Sequence, residues 1–306
     1  MATSTALEPV IRAQGLRMSY GELTVLDGVD LSVGRGEVVT LLGPNGAGKT
    51  TTIEILEGMR RPSAGSVDVL GSDPLRAGDA WRARVGIVMQ SWRDHARWSP
   101  RDLLAFMGSL YSEYGTVARP RPRDADTLLD LVGLADKADA KIRTLSGGQR
   151  RRLDVAVGIV GRPEVLFLDE PTAGLDPDAR RGFHELIHAL VDEEETTVLL
   201  TTHDLGEAER LADRVVILAG GRIVADATAD ALADTLGRET QVRWSLDGHV
   251  HVHATHAATR FVRDLLNGPE GSRIGGLEVR RPSLEDSYLA LVDSALEASI
   301  TTEEAA

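Results

Sequence analysis

The sequence predicts an α/β fold with a mainly parallel, doubly wound sheet, a helical insert and a small α+β extension at the C-terminus. Short runs of consecutive apolar, β-branched residues alternate with longer amphipathic stretches, as expected of strands that are buried on both faces and covered by helices. Between about residues 91 and 162 no such apolar run occurs, and the pattern changes again near residue 231. We therefore expect an α/β core at 1–230, with a helical subdomain at about 91–162, and an accessory extension at 231–306.

The core sheet is predicted from apolar runs that end in polar residues. In chain order, these runs are VVTLLG at 38–43, VGIVMQ at 85–90, VLFLDE at 165–170, TVLLTTH at 197–203 and VVILAGGRIVADA at 215–227. In an open α/β sheet, ligands bind beyond the carboxyl ends of the strands. The polar residues that end the runs are therefore the first candidates for a functional site.

The insert and the extension have patterns of their own. Ser99 and Pro100 predict the start of a helix, because serine is a favoured N-cap and proline a favoured first helical residue. After Arg238 the pattern predicts two strands (QVRWSL and HVHVHA), a helix (ATRFVRDLLNG), a strand (LEVRR) and a last helix (SLEDSYLALVDSALE). The second of these strands places His249, His251 and His253 on one face, for which we favour a solvated surface over a metal site.

Composition excludes several classes of function. The 306-residue chain carries a formal net charge of −13, which repels nucleic-acid phosphates, so we expect no nucleic-acid partner. It contains no cysteine, which rules out disulfides and thiol chemistry. The N-terminus lacks the pattern of a signal peptide, and no run of about eighteen apolar residues occurs, so we expect neither export nor a membrane span.

A phosphate-binding loop is predicted between the first apolar run and the helix that follows it. The segment GPNGAGKT at 43–50 matches GxxxxGK[ST] in the strand–loop–helix context that this motif requires. Glycines allow backbone N–H groups to surround phosphate oxygens, and the helix N-terminus adds a positive dipole end. The predicted ATP-binding residues here are Gly43, Pro44, Asn45, Gly46, Ala47, Gly48, Lys49, Thr50 and Thr51. Lys49 is expected to reach the β and γ phosphates, and the Thr50 hydroxyl to ligate Mg²⁺.

The other runs end in residues suited to hydrolysis of a phosphoanhydride. Asp169 closes a buried run and would bind Mg²⁺, and Glu170 would polarise the attacking water. Gln90 would orient that water or contact the metal, and His203 would hydrogen-bond the γ-phosphate. Taken singly, a strand-end glutamine is usually solvated and a lone histidine usually structural. In combination with the phosphate loop they favour a catalytic site.

A second glycine-rich turn lies in TLSGGQRRRLDVAVG, at 144–158, directly ahead of a helical pattern. It has the features of an anion-binding helix N-terminus, but it has no evident ligand of its own. For the arginines at 150–152 we favour a solvated helix face over direct contact with the nucleotide.

These motifs resemble those of the ATP-binding cassette (ABC) family of ATPases, and the resemblance covers roughly residues 8–230. GPNGAGKT is similar to the family's Walker A motif, VLFLDE to its Walker B motif with Glu170 as catalytic base, and LSGGQ at 145–149 to its signature. AGLD at 173–176 resembles its D-loop, Gln90 its Q-loop glutamine and His203 its switch histidine. Tyr20 falls where the family stacks an aromatic ring on adenine, with plain packing as the alternative.

The resemblance implies that two nucleotide-binding domains assemble head to tail as a homodimer. The signature residues Ser146, Gly147, Gly148 and Gln149 of one copy would then cover the ATP that is bound by the phosphate loop of the other. Asp176 would lie at the dimer interface and couple the two sites.

The resemblance also implies a separate transmembrane permease, with the subunit bound peripherally at the cytoplasmic face of the cell membrane. The helical insert and the Gln90 loop would form the docking surface, with Trp92 and Trp98 either as anchors or in buried packing. PSLEDSYLALV, at 282–292, resembles the closing motif of daunorubicin-resistance-type bacterial exporter ATPases. We therefore expect an exporter ATPase for a drug-like, antibiotic or lipid-like substrate. An importer ATPase and a soluble, non-transport ABC ATPase are the alternatives.

Overall fold

The computed structural model describes residues 9–89, 95–235 and 240–280, together with residues 285, 288, 289, 291 and 292. The chain divides into two compact units, Met1–Asp226 and Ala227–Ala306. Among the described residues, no helix has the length and apolar character needed to cross a membrane.

The first unit contains most of the secondary structure. Its strands are β1 (Pro9–Tyr20), β2 (Leu23–Gly34), β3 (Val38–Leu42), β4 (Ala64–Val69), β5 (Val85–Val88), β6 (Val165–Asp169), β7 (Thr197–Thr202), β8 (Arg214–Ala219) and β9 (Arg222–Ala227), which crosses the boundary. Its helices are α1 (Lys49–Leu56), α2 (Asp79–Arg82), α3 (Pro100–Ser109), α4 (Ala125–Leu131), α5 (Gly147–Ile159), α6 (Pro177–Glu194) and α7 (Leu205–Leu211).

The core sheet confirms the predicted α/β class with its mainly parallel sheet. Its strand order is β5-β6-β7-β3-β8-β9, and the strands from β5 to β8 in this order pair in parallel. Every residue of β3, β6 and β7 is buried, which explains their unbroken apolar runs. Because β3 lies between β7 and β8, the loop that follows it leaves from the middle of the sheet.

The strands β2, β1 and β4, all within the first 69 residues, form an antiparallel sheet that was not predicted. Tyr20 lies within this sheet, because it is the last residue of β1 and pairs with Leu23 of β2. The alternation of buried and exposed positions in β1 is interrupted by register shifts, such as the one between Ala13 and Leu16. These shifts obscure the period-2 signal that would otherwise indicate a half-buried strand.

Between β5 and β6, the described residues form α3, α4, α5 and short 3₁₀ turns, and they contain no strand. The predicted helix start is confirmed: Ser99 caps α3, its Oγ accepts a hydrogen bond of 3.1 Å from the Asp102 N–H, and Pro100 is the first helical residue. Leu103 and Leu104 of α3 and Leu128 and Leu129 of α4 pack with α5 in one buried cluster.

The second unit consists of α8 (Ala229–Thr235), β10 (Thr240–Leu246), β11 (His249–Thr255), α9 (Ala258–Asn267) and β12 (Ile274–Arg280). The strands form an antiparallel sheet in the order β11-β10-β12. The predicted strands and helix are present, although α8 was missed. The last predicted helix and the PSLEDSYLALV segment lie largely outside the described residues. The residues of this segment that the structure describes, 285, 288, 289, 291 and 292, are helical.

The histidine face of β11 is exposed, as expected of a solvated surface, but two of its side chains also contact aromatic rings. His251 stacks on Trp244 with ring centroids 5.4 Å apart, and His253 stacks on Phe261 of α9 at 4.1 Å. In the part of the chain that the structure describes, no group of three or more His, Cys, Asp or Glu residues is arranged to hold a metal ion. The metal interpretation of this face therefore has no structural support.

Candidate active site

The phosphate loop joins β3 to α1 in a conformation that requires glycine. Gly48 has φ of +102°, and a Cβ atom there would lie 2.5 Å from Leu26 Cδ2. A Cβ atom on Gly43 would lie 2.3 Å from the carbonyl oxygen of Leu218 on β8. Neither position tolerates a side chain without movement of its neighbours, so the loop backbone is held close against the sheet.

Lys49 begins α1 and extends back over the loop. Its Nζ donates hydrogen bonds of 2.7 Å to the Gly43 carbonyl and 3.2 Å to the Pro44 carbonyl. Burial lowers the pKa of Lys49 below its ordinary value, while the nearby charges of Glu170 and Asp169 act to raise it. The ammonium group is thus desolvated and donates to two neutral carbonyls, with the carboxylates of Glu170 and Asp169 nearby. This arrangement favours an incoming phosphate oxygen, which is a stronger acceptor than a carbonyl.

A cluster of oxygen atoms connects the phosphate loop to β6 and β7. The Thr50 hydroxyl donates to Asp169 Oδ2 over 3.2 Å, and the Thr201 hydroxyl donates to Asp169 Oδ1 over 2.5 Å. Asp169 is buried with an exposed fraction of 8%. Carboxylate and hydroxyl oxygens are the ligands that Mg²⁺ prefers, so the Thr50 and Asp169 side chains are chemically suited to that ion.

Glu170 and His203 contact each other at the carboxyl ends of β6 and β7. His203 Nδ1 lies 2.7 Å from Glu170 Oε2. The backbone of Glu170 has φ of +50°, in the left-handed region that non-glycine residues seldom adopt. Its N–H donates to the Thr201 hydroxyl over 3.0 Å and to the Thr201 carbonyl over 3.2 Å. The carboxylate is therefore held at the sheet edge next to an exposed imidazole.

The phosphate loop borders a cleft of about 490 Å³. The residues that line it are Tyr20, Leu23, Val25, Asn45, Gly46, Gly48, Lys49, Thr50, Thr51 and Glu170. Tyr20 is 43% exposed, and the Arg60 guanidinium lies 5.3 Å from the centroid of its ring. Of the other predicted loop residues, Gly43 and Ala47 are buried and Pro44 is half-buried. Gln90, together with Trp92, lies outside the described residues.

The signature residues begin α5. Ser146 is the N-cap: its Oγ accepts from the Gln149 N–H over 3.2 Å, while Gln149 Oε1 accepts from the Ser146 N–H over 3.0 Å. This capping box explains why a serine and a glutamine flank the two glycines. Ser146 and Gly147 are exposed, and Gly148 lies next to Leu175.

Asp176 caps α6 and accepts a hydrogen bond of 2.8 Å from the Ala179 N–H. Neither Asp176 nor any of the signature residues lines the cleft at the phosphate loop of the same chain, as far as the described residues show. The sequence-predicted residues therefore fall into two groups, one around Lys49 and one around Ser146.

Two contributors to the site were missed in the sequence analysis. Thr201 bonds both Asp169 and Glu170, and the only sequence signal for it was a threonine pair at the end of an apolar run. The solvated face predicted for the arginines of α5 is wrong for Arg151, which is only 6% exposed. Arg152 donates to the carbonyls of Val132 and Gly133.

A glycine-rich phosphate loop, a buried aspartate followed by a glutamate, and a histidine at the ends of parallel strands define a nucleotide-binding ATPase of the phosphate-loop class. The model of the ABC transporter family matches residues 26–173. The daunorubicin resistance ATP-binding protein DrrA3 of Streptomyces coeruleorubidus is 39% identical over 93% of this chain and 96% of its own. The chain therefore belongs to the ABC transporter family, as an ATP-binding protein.

Other relatives and a solved structure agree with this assignment. The daunorubicin/doxorubicin resistance ATP-binding protein DrrA of Streptomyces peucetius is 43% identical over 74% of this chain and 68% of its own. Nod factor export ATP-binding protein I of Ralstonia nicotianae is 42% identical over 71% of this chain and 66% of its own. The structure of an ATP-binding subunit of an ABC transporter superposes with a TM-score of 0.65 and 27% identity, over 74% of this chain and 93% of that one.

Glu57, at the end of α1, leads to a prediction about stability. Burial, with smaller contributions from the charges of Asp169 and Glu54, raises its pKa from 4.5 to about 8. A carboxyl group with a raised pKa stabilises the fold fully below its unfolded pKa, and that stability is lost as pH rises toward about 8. We expect the nucleotide-free protein to lose a few kcal/mol of unfolding free energy between about pH 5 and pH 8 through this group.

Glu57→Gln should remove this pH-dependent part of the unfolding free energy. Urea unfolding followed by circular dichroism can measure it at both pH values. Glu54→Gln is the matched control on the same helix, because Glu54 is half-buried and paired with Arg60. The control should keep most of the parental pH dependence, because the charge of Glu54 is the smallest of the three causes that raise the Glu57 pKa. Equal pH dependence in Glu57→Gln and the parent would show that Glu57 titrates normally.

Proposed function

We propose that the protein is the ATP-hydrolysing subunit of an ABC exporter. The observation that carries the proposal is the constellation of Lys49, Thr50, Asp169, Glu170 and His203 around one cleft. The relatives named for daunorubicin resistance and Nod factor export support export rather than import. The transported substrate would accordingly be drug-like, an antibiotic or lipid-like.

In this proposal the phosphate loop binds the β and γ phosphates of ATP. Lys49 exchanges its two loop carbonyls for phosphate oxygens, which replaces neutral acceptors by anionic ones and so strengthens the contact. Thr50, Asp169 and Gln90 would hold Mg²⁺, which would neutralise charge on the phosphates when bound. Thr201 keeps Asp169 oriented through the short hydrogen bond to its carboxylate.

Glu170 acts as the general base that takes a proton from the attacking water. Its carboxylate is mostly buried, with 13% of the side chain exposed, and it faces the cleft. His203 contacts the same carboxylate and is 65% exposed, so its ring can turn toward a γ-phosphate without losing buried packing. Gln90 orients the water in this scheme.

Catalysis would require two copies of the chain. The signature residues Ser146, Gly147, Gly148 and Gln149 start a helix whose N-terminus is exposed and favours an anion. They do not line the cleft of their own chain within its described part. This separation supports a homodimer in which they cover the ATP of the partner, with Asp176 at the interface.

The exporter would also contain a separate transmembrane permease, with this subunit bound peripherally at the cytoplasmic face of the membrane. Phe106 of α3 is 47% exposed and packs edge-on against Trp98, with ring centroids 5.2 Å apart. Trp98 itself packs against the buried cluster of α3, α4 and α5, which favours a supporting role for it. Met89, at the start of the Gln90 loop, is also exposed.

Co-purification from membranes tests this part of the proposal. When the chain is purified from detergent-solubilised membranes of its host, a polytopic protein should be recovered in the same complex, and Phe106→Asp should reduce that recovery severalfold. A parental chain that never associates with a polytopic protein would contradict the exporter assignment. Val250→Asp is the control and should leave recovery unchanged, because Val250 is a similarly exposed apolar residue on β11, outside the insert.

Tyr20 is proposed to stack on the adenine ring. Because base–aromatic stacking is worth about 1–3 kcal/mol, Tyr20→Ala should weaken ATP binding by about tenfold. Tyr20→Phe keeps the ring and should bind as the parent does. Fluorescent-nucleotide titration measures both variants, and unaltered affinity of Tyr20→Ala would show that the ring serves packing alone.

A further inference from the structure

Arg151 occupies an unusual place for an arginine. It lies in the first turns of α5, the helix that begins with the signature residues, and it is 6% exposed. Its neighbours in sequence have different roles: Arg150 pairs with Asp154 on the same helix, and Arg152 bonds the end of α4. Arg151 points toward the carboxyl end of β6, next to the catalytic candidates.

The guanidinium of Arg151 binds four backbone carbonyls that come from two strand ends. Nη2 donates to the Asp169 carbonyl over 2.8 Å and to the Glu170 carbonyl over 3.1 Å, and Nε donates to the Pro171 carbonyl over 2.8 Å. Nη1 donates to the Met89 carbonyl over 2.5 Å. Met89 directly precedes Gln90. One planar group therefore connects α5, the turn after β6 and the start of the Gln90 segment.

The turn that Arg151 binds is a strained one. Glu170 adopts a φ of +50°, and such a conformation persists only where the surroundings over-determine it. Thr201 of β7 holds the Glu170 N–H from one side. Arg151 holds the Glu170 carbonyl, and the carbonyls before and after it, from the other side. Hydrogen bonds thus hold both the backbone N–H and the backbone carbonyl of Glu170, the proposed base.

The charge of Arg151 also suits this position. Burial lowers its pKa, while the carboxylates of Asp154, Asp169, Glu170 and Glu207 act to raise it. An arginine remains protonated under such conditions. Only a guanidinium offers five N–H donors in a rigid plane, of which four are used here, so lysine with three donors on a flexible stem cannot replace it fully.

We propose that Arg151 is a positioning residue for Glu170: it holds the strained turn that directs the carboxylate toward the cleft, and it links that turn mechanically to the signature helix and to Met89 after β5. The inference rests on the proposed function, in which Glu170 is the base. Because the same side chain is part of α5, a displacement of the signature helix reaches the Glu170 turn directly.

Arg151→Lys tests the proposal, with Arg152→Lys as the matched control on the next residue of the same helix. In Arg151→Lys, kcat for ATP hydrolysis should fall at least tenfold while the ATP dissociation constant stays within threefold of the parent. Hydrogen–deuterium exchange of the segment 169–172 in the nucleotide-free protein should be at least fivefold faster. Arg152→Lys should change neither kcat nor the exchange of that segment. Arg151→Met, which has no donor, should reduce kcat further than Arg151→Lys.

Two results would overturn the proposal. One is parental kcat and parental exchange at 169–172 in a folded Arg151→Lys variant. The other is a loss of ATP affinity or of thermal stability that matches the loss of kcat, which would make Arg151 a general support of the fold. The exchange measurement requires no turnover, so it remains decisive if Glu170→Gln shows that the base was assigned wrongly.

Discussion

Glu170→Gln is expected to bind ATP with a dissociation constant within threefold of the parent and to hydrolyse it at least a hundredfold more slowly. General base catalysis contributes about 10²–10⁴-fold to a rate, and glutamine cannot accept the proton. The substitution keeps the shape of the side chain and leaves the backbone bonds to Thr201 and Arg151 in place. In the proposed homodimer, the variant should also accumulate a stable ATP-bound dimer, because the ATP hydrolysis that separates the two copies is slowed.

Single-turnover phosphate release and size-exclusion chromatography with ATP measure these effects. Glu195→Gln is a suitable control, because Glu195 is also a glutamate with positive φ but is exposed at the end of α6. It should hydrolyse ATP at the parental rate. Parental turnover in Glu170→Gln would mean that another group is the base.

Lys49→Ala should weaken ATP binding by about a hundredfold. Hydrogen bonds to charged groups contribute about 1.5–3 kcal/mol, and Lys49 is the buried cation of the phosphate loop. Loss of the ammonium group also leaves the Gly43 and Pro44 carbonyls without their donor, which loosens the loop. Titration calorimetry measures the affinity. Lys137→Ala removes a more exposed lysine on the helical insert and should bind ATP as the parent does.

Much of the core could be predicted because buried parallel strands have an unmistakable sequence pattern. The strands β3, β6 and β7 are buried along their whole length, so their apolar runs are continuous. Strands β1 and β2 are long but irregular, with register shifts and glycines such as Gly15 and Gly28 at positive φ. β1 pairs with β2 across a short turn and with β4 much farther along the chain, and the register shifts hide the alternation that would have indicated these strands.

The residues of the site also divide into those that a local sequence pattern predicts and those that it does not. Residues at strand ends could be predicted from position alone, because parallel strands align their carboxyl ends. Thr201 could not, because its contact with Asp169 follows from the pairing of β6 with β7, which places these two residues side by side. Arg151 could not either, because arginine is seldom fully buried and its four carbonyl partners become neighbours only in the folded chain.

In the proposed homodimer, ATP is bound between the phosphate loop of one copy and the signature helix of the other. Because the chain contains no cysteine, a single introduced thiol on each of two chains reports their contact directly. The measurement mixes Asn45→Cys and Ser146→Cys chains, both carrying Glu170→Gln, and oxidises them with and without MgATP. A disulfide requires Cα atoms about 4.4–6.8 Å apart, so it forms only if the two motifs meet.

We predict an ATP-dependent covalent dimer in the mixture, with one chain of each kind, and none between two Asn45→Cys chains. Failure to cross-link in a mixture that binds ATP and forms a dimer in solution would contradict the shared site.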